Sequence, residues 1–166
     1  TLLLSGNGSL PSTTAVTLSG SGATLNLAAT AVTSMSLASL SGVVGSSVEL
    51  GNHSLEVGSS NTDFFFAGSL SGIGGSLVKQ GTGTQGFSNL NTYTGATVIN
   101  SGTLAVTTLA NIGSSSGIGA GDSTNAITNA ASLVFNGGTL QYTGSTTTMF
   151  QTTQTPTIAI NRLFTL

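Results

Sequence analysis

The chain has 166 residues with two basic and four acidic side chains, a net charge of −2, 24 glycines and no cysteine. Its charged share of 4%, against about 25% in an ordinary soluble domain, and the wide separation of Lys79 from Arg162 exclude the basic stripe that nucleic-acid binding needs. The missing cysteines exclude disulfides, thiolate metal sites and cysteine nucleophiles, no apolar run approaches the roughly 18 residues of a spanning helix, and a mean hydropathy of +0.36 argues against simple disorder.

In chain order the apolar residues alternate in short bursts. They fall at Ala23–Leu27, Val48–Leu50, Leu55–Val57, Leu104–Val106, Leu133–Phe135, Leu140–Tyr142 and Ile158–Ile160. A period of two over three to five residues predicts short strands with one buried face. Clusters at Gly51-Asn52, Gly58–Asn61, Asn100–Gly102 and Asn136–Gly138 predict sharp corners, because Gly and Asn tolerate positive φ. No helical period of useful length is present, and residues 107–118, interrupted by Gly113 and Gly117, read as loop. The alternation predicts a core of Leu25, Leu27, Val48, Leu50, Leu55, Val57, Phe64, Phe66, Leu104, Val106, Leu133, Phe135, Leu140 and Tyr142.

Short strands with frequent corners fit a sandwich or a solenoid, and repetition favours the solenoid. Asn-Ser-Gly-Thr-Leu at 100–104 returns as Asn-Gly-Gly-Thr-Leu at 136–140, and Leu-Ser-Gly occurs at 18–20, 40–42 and 70–72. Such units bury their faces only by stacking on one another. The expected fold is all-β, a parallel β-helix (β-solenoid) with short strands and Gly/Asn corners over 1–166. At about 20 residues per layer it would have roughly eight layers and a length of roughly 40 Å. A transmembrane barrel needs strands of about 9 to 11 residues and aromatic girdles, which this chain lacks.

Residues 70–106 carry Gly72–Gly75, Leu77–Lys79, Gly81–Thr84, Asn91–Gly95 and Gly102–Leu104 in order. This run closely resembles the autotransporter-associated β-strand repeat, also called the passenger-associated transport repeat. Gln85, Gly86 and Asn89 depart from the family's Leu, Thr and Gly, and Gln85 in an inward position predicts an irregular layer. The resemblance implies a right-handed β-helix on the outer surface of a Gram-negative-type cell, exported through a membrane barrel that this chain lacks. It implies a stalk or adhesin rather than an enzyme, with no cofactor. The alternatives are a β-helical carbohydrate-active enzyme and a self-assembling extracellular filament subunit.

The candidate sites are few. Glu49 and Glu56 resemble an acid/base pair, but alternation turns both outward as solvating charges. His53 has no second His or Cys to share a metal, and no nucleophile elbow accompanies it. Gly117–Asp122 lacks the βαβ context of a dinucleotide loop and the tandem acids of a calcium repeat, and reads as a surface loop. The Thr-rich stretch 143–155 shows no ranked Thr-x-Thr on successive layers. The expected catalytic, cofactor-binding and metal residues are therefore none. Phe65, between the inward Phe64 and Phe66, should point outward beside Asp63. It is the one candidate partner contact, for a host surface or glycan, unless it packs under a neighbouring loop. The chain starts at Thr1, as a processed or excised segment would. Strand-like ends at Thr1–Leu4 and Leu163–Leu166, with Pro11 and Pro156 set inside them, suggest more of the same column end to end, by covalent continuation or polymerisation. No membrane insertion of this segment is expected.

Overall fold

The computed structural model of the chain describes residues 1–144 and 160–166. The chain opens with β1 (Leu2–Gly6), β2 (Ala15–Leu18) and β3 (Thr24–Thr30). Two triples follow: β4 (Ser34–Leu37), β5 (Ser39–Gly42) and β6 (Ser47–Glu49), then β7 (Ser54–Val57), β8 (Phe64–Phe66) and β9 (Ser69–Ser71). Next come β10 (Ser76–Lys79), β11 (Thr84–Phe87), β12 (Thr97–Ile99) and β13 (Thr103–Val106). A helix α1 (Ala126–Ala131) precedes β14 (Leu133–Phe135) and β15 (Thr139–Tyr142).

These strands form three sheets, ordered β1-β3-β6-β9, β14-β12-β10-β7-β4 and β15-β13-β11-β8-β5-β2. Every ladder between these strands is parallel, as in a β-solenoid: from β4 to β9 each turn adds one strand to each of three faces, and after β9 only the second and third sheets gain strands. The expected fold class is met. The expected eight layers are not, because the largest sheet has six strands among the described residues. Layers are unequal: Leu55 faces Leu77 and Leu77 faces Thr97, but Thr97 faces Leu133, an excursion through residues 107–132 lengthening that turn.

Alternation sets what is buried. Leu25, Val48 and Leu70 stack in register on the first sheet, and Met35, Leu55 and Leu77 on the second. All six are essentially solvent-free, and each buried aliphatic contributes roughly 1.5–3 kcal/mol relative to exposure. Ten of the fourteen expected core residues are buried. Phe64, Phe135, Leu140 and Tyr142 are half-buried; the last two lie on β15, which has a strand on one side only among the described residues. Leu104→Asp should therefore unfold its layer, Leu140→Asp should lower Tm by less, and Gln141→Asp, on the outward face, should be tolerated. Thermal melts of the three variants check this order.

Two expectations need correction. Residues 107–118 hold no helix, but α1 was not foreseen. At six residues it is too short to display a period, and its Asn125 cap supplies the start: Oδ1 accepts from the Ile127 and Thr128 amides, while Thr128 Oγ1 accepts from the Asn125 amide. Gln85 does not disturb its layer, since β11 pairs on both sides in regular register. Its side chain is 1% exposed and Nε2 donates to the Leu40 carbonyl at 3.0 Å, which removes the cost of an unpaired buried amide. The strand expected at 158–160, Pro156 and most of the Thr-rich stretch lie outside the described residues. Thr165 bridges Val134 in parallel, so the chain runs beside β14 at that residue.

Candidate binding groove on the third sheet

The expected acid/base pair is not assembled. Glu49 lies on β6 of the first sheet and Glu56 on β7 of the second, so the two face different ways. Each is held within a ladder of outward polar side chains: Glu49 accepts from Asn26 Nδ2, and Glu56 Oε2 accepts from Ser36 Oγ and Gln80 Nε2, both at 2.7 Å. His53 is buried in the corner between β6 and β7, where its amide donates to the Leu50 carbonyl at 3.1 Å. Among the described residues no three His, Cys, Asp or Glu side chains gather as metal ligands.

Gly117–Gly121 is not a surface loop. Ile118 is fully buried and its neighbours are nearly so. The glycines permit this approach: Gly119 has φ +74°, and a Cβ there would fall 2.6 Å from the Tyr93 ring. The Asn91–Gly95 motif is the other half of the contact. Asn91 Oδ1 accepts from the Leu70 amide at 2.8 Å and its Nδ2 donates to the Gly117 carbonyl at 3.0 Å. Tyr93 fills the core with its hydroxyl 2.7 Å from Thr97 Oγ1, which donates to the Ile118 carbonyl. The motif thus takes the place of a strand after β9 and carries the excursion as its cover. Asp122, at the exposed end, accepts from the Thr124 amide at 2.8 Å, which holds its carboxyl below the usual carboxylate range.

Both basic residues are structural. Lys79 continues the inward column of Leu37 and Val57 and is 1% exposed. Its ammonium donates to the Gln80, Gly81 and Ser101 carbonyls at a corner. Burial pulls its pKa below the ordinary value, with Asp63 opposing. Arg162 is likewise buried and hydrogen-bonds to backbone carbonyls. Alternation marks the inward place of Lys79; the carbonyls that hold it could not be read from sequence.

Phe65 does point outward and is 67% exposed, with no loop over it among the described residues. Register sets Phe65, Gly86, Ala105 and Gln141 in one outward row across β8, β11, β13 and β15. The Phe65 ring leans over Gly86, where any Cβ would collide with it. Beyond the ring the small Gly86 and Ala105 leave a trough of about 330 Å³. Thr84 stands on one bank, Ser88, Thr107 and Thr143 on the other, and Gln141 at the far end. Every lining side chain is uncharged.

Residues 77–106, which supply β10 to β13, match the family model described as passenger-associated-transport-repeat. Over 115 residues, 68% of the chain, it is 40% identical to the adhesin BmaC autotransporter of Brucella suis biovar 1 (strain 1330). The chain spans only 3% of that relative's length. No solved structure matches the chain.

Proposed function

The chain carries a passenger-associated transport repeat of autotransporter passengers, and on that premise we propose that it is a section of an exported adhesin passenger. It serves as a β-helical stalk that displays binding surfaces outside a Gram-negative-type cell. The observation that carries this reading is that the matched repeat is itself built into the parallel column, supplying strands to two of its three faces. An adhesin autotransporter 40% identical over 115 residues supports it. In this reading the column continues into further layers of the same passenger. Joining of separate chains into fibres is the finer alternative.

Fusion to an autotransporter membrane barrel tests the reading. Intact cells should expose the segment to added protease and adhere to a surface or host-cell layer that barrel-only cells do not hold. Electron microscopy of the released passenger should show a rod one solenoid wide. Retention inside the cell, or export without any gain in adherence, sinks the proposal.

Among the described residues the enzyme reading lacks a converging set of acids and bases. The combined variant His53→Ala, Glu49→Ala, Glu56→Ala should leave adherence of the displayed passenger unchanged. Hydrolysis of a polysaccharide or ester by the parent, lost in that variant, would overturn the non-enzymatic assignment.

A further inference from the structure

We propose that the trough between Phe65 and Gln141 binds a neutral mono- or disaccharide. The proposal rests on the adhesin reading for where the sugar is met, and on the groove alone for what is bound. Four features narrow the ligand.

The trough is lined by no charged side chain, so it offers a charged ligand no counter-ion while desolvating it. An uncharged ligand matches it. One end is the Phe65 ring, two-thirds exposed and braced against Gly86. An aromatic face carries negative quadrupole charge, which suits the weakly positive axial C–H groups on one side of a pyranose.

The rest of the lining suits the ring's hydroxyls. Thr107 and Thr143 donate their own protons to the Ser88 and Val106 carbonyls at 3.1 and 3.2 Å, leaving lone pairs that accept from a sugar. Gln141 is exposed at the far end, and its amide can both donate and accept.

Size excludes larger occupants. At about 330 Å³ the trough lies at the lower end of small-ligand sites, whereas a protein partner needs roughly 800 Å² of surface on each side. Its floor spans the strands from β8 to β15, three steps of about 4.8 Å, which accommodates one or two sugar rings. The floor is made by two departures from bulk in one row, Gly86 and Ala105.

The test is amide chemical-shift mapping of the folded 166-residue chain. Methyl α-glucoside, methyl β-galactoside, N-acetylglucosamine, N-acetylgalactosamine and lactose are each added up to tens of millimolar. At least one should give saturable shifts centred on Gly86 and Ala105. Phe65→Ala should weaken that binding at least about tenfold, Phe65→Tyr should restore it, and Gln141→Ala should weaken it while the circular dichroism spectrum stays that of the parent. If none of the five sugars shifts these amides, or if Phe65→Ala binds as the parent does, the assignment is wrong. Failure here alongside normal export and adherence of the displayed passenger removes the groove and leaves the adhesin reading. Sugar binding by a chain that is not exported does the reverse.

Discussion

Tyr93→Ala should lower the unfolding free energy by about 3–5 kcal/mol, the usual cost of emptying a large aromatic site. A domain of this kind has only about 5–15 kcal/mol in total. Tyr93 is fully buried where the first sheet ends after β9, and it is the surface on which Gly117–Gly121 lies. The Tyr93 carbonyl accepts from the Ala120 amide at 2.9 Å, so the excursion is held by both its backbone and its ring. Truncation therefore empties a core site and loosens its cover together. Tyr93→Phe should cost only about 1 kcal/mol, because one hydrogen bond is lost while Thr97 Oγ1 keeps the Ile118 carbonyl.

The two variants also separate in pH. Burial pushes the Tyr93 hydroxyl well above its ordinary value, with Thr97 and Arg162 opposing. The folded pKa is raised, so the contribution is fully present below the unfolded value near 10. It is lost as pH rises from there, where the unfolded chain releases a proton that the folded chain keeps. Urea unfolding should show parent stability falling above about pH 10, and Tyr93→Phe should lack that part of the fall. Equal alkaline slopes for the two proteins would refute the assignment.

How much of this was legible beforehand depends on what each residue type announces. Leu55, Leu77 and Leu104 alternate with polar neighbours, so period two placed them inward without knowledge of the layers. Phe65 was legible for the same reason, being flanked by two aromatics of opposite direction. The groove was not. It requires Phe65, Gly86, Ala105 and Gln141 to share a row, and their sequence separations are 21, 19 and 36 residues. Unequal turns hide such a row from any fixed repeat length. The burial of Gly117–Gly121 was hidden differently. Glycine and alanine carry no strong signal for inside or outside, and the partner that covers them, Tyr93, lies more than twenty residues earlier. Lys79 and Gln85 were misleading by chemical type. Each occupies an inward position that a charge or amide normally avoids, and each is satisfied by carbonyls turned toward it.

Arg162 is the strongest case of that kind, and Arg162→Met should destabilise the fold by about 3 kcal/mol, at the level of several acceptors losing a charged donor. Arg162 is 6% exposed and its guanidinium has no carboxylate partner among its hydrogen bonds. Instead Nε donates to the Ala110 carbonyl at 3.0 Å, and Nη2 reaches the Ser114, Gly119 and Ala120 carbonyls at 3.3, 2.6 and 2.9 Å. Burial lowers its pKa, with Tyr93 opposing, and a guanidinium stays charged throughout the accessible range. Burying an unpaired charge is expensive, so deleting it returns some free energy. Two of the four carbonyls decide the sign, those of Ala110 and Ser114, because Gly119 and Ala120 keep Ser116 Oγ and the Gly113 amide as donors. Their backbone is already folded around the guanidinium, and each buried acceptor left without a donor costs about 1–3 kcal/mol. Water entering the vacated volume offsets part of that loss, which sets the net near the stated value. Lysine cannot substitute fully, because three donors on one nitrogen do not reproduce a planar fork, so Arg162→Lys should fall between parent and Arg162→Met. The damage should be local before it is global. Arg162 ties the chain at 160–163 to the excursion, where Asn161 Oδ1 also accepts from the Ile112 amide and Asn111 Oδ1 from the Asn161 amide. Hydrogen exchange should therefore accelerate at the Gly113 and Ala120 amides, which donate to Ala120 and Tyr93, while amides of β7 and β10 keep parent rates under native conditions. Unchanged protection at Gly113 and Ala120 in Arg162→Met, or a melting temperature equal to the parent's, would show that the carbonyl cage does not depend on the guanidinium.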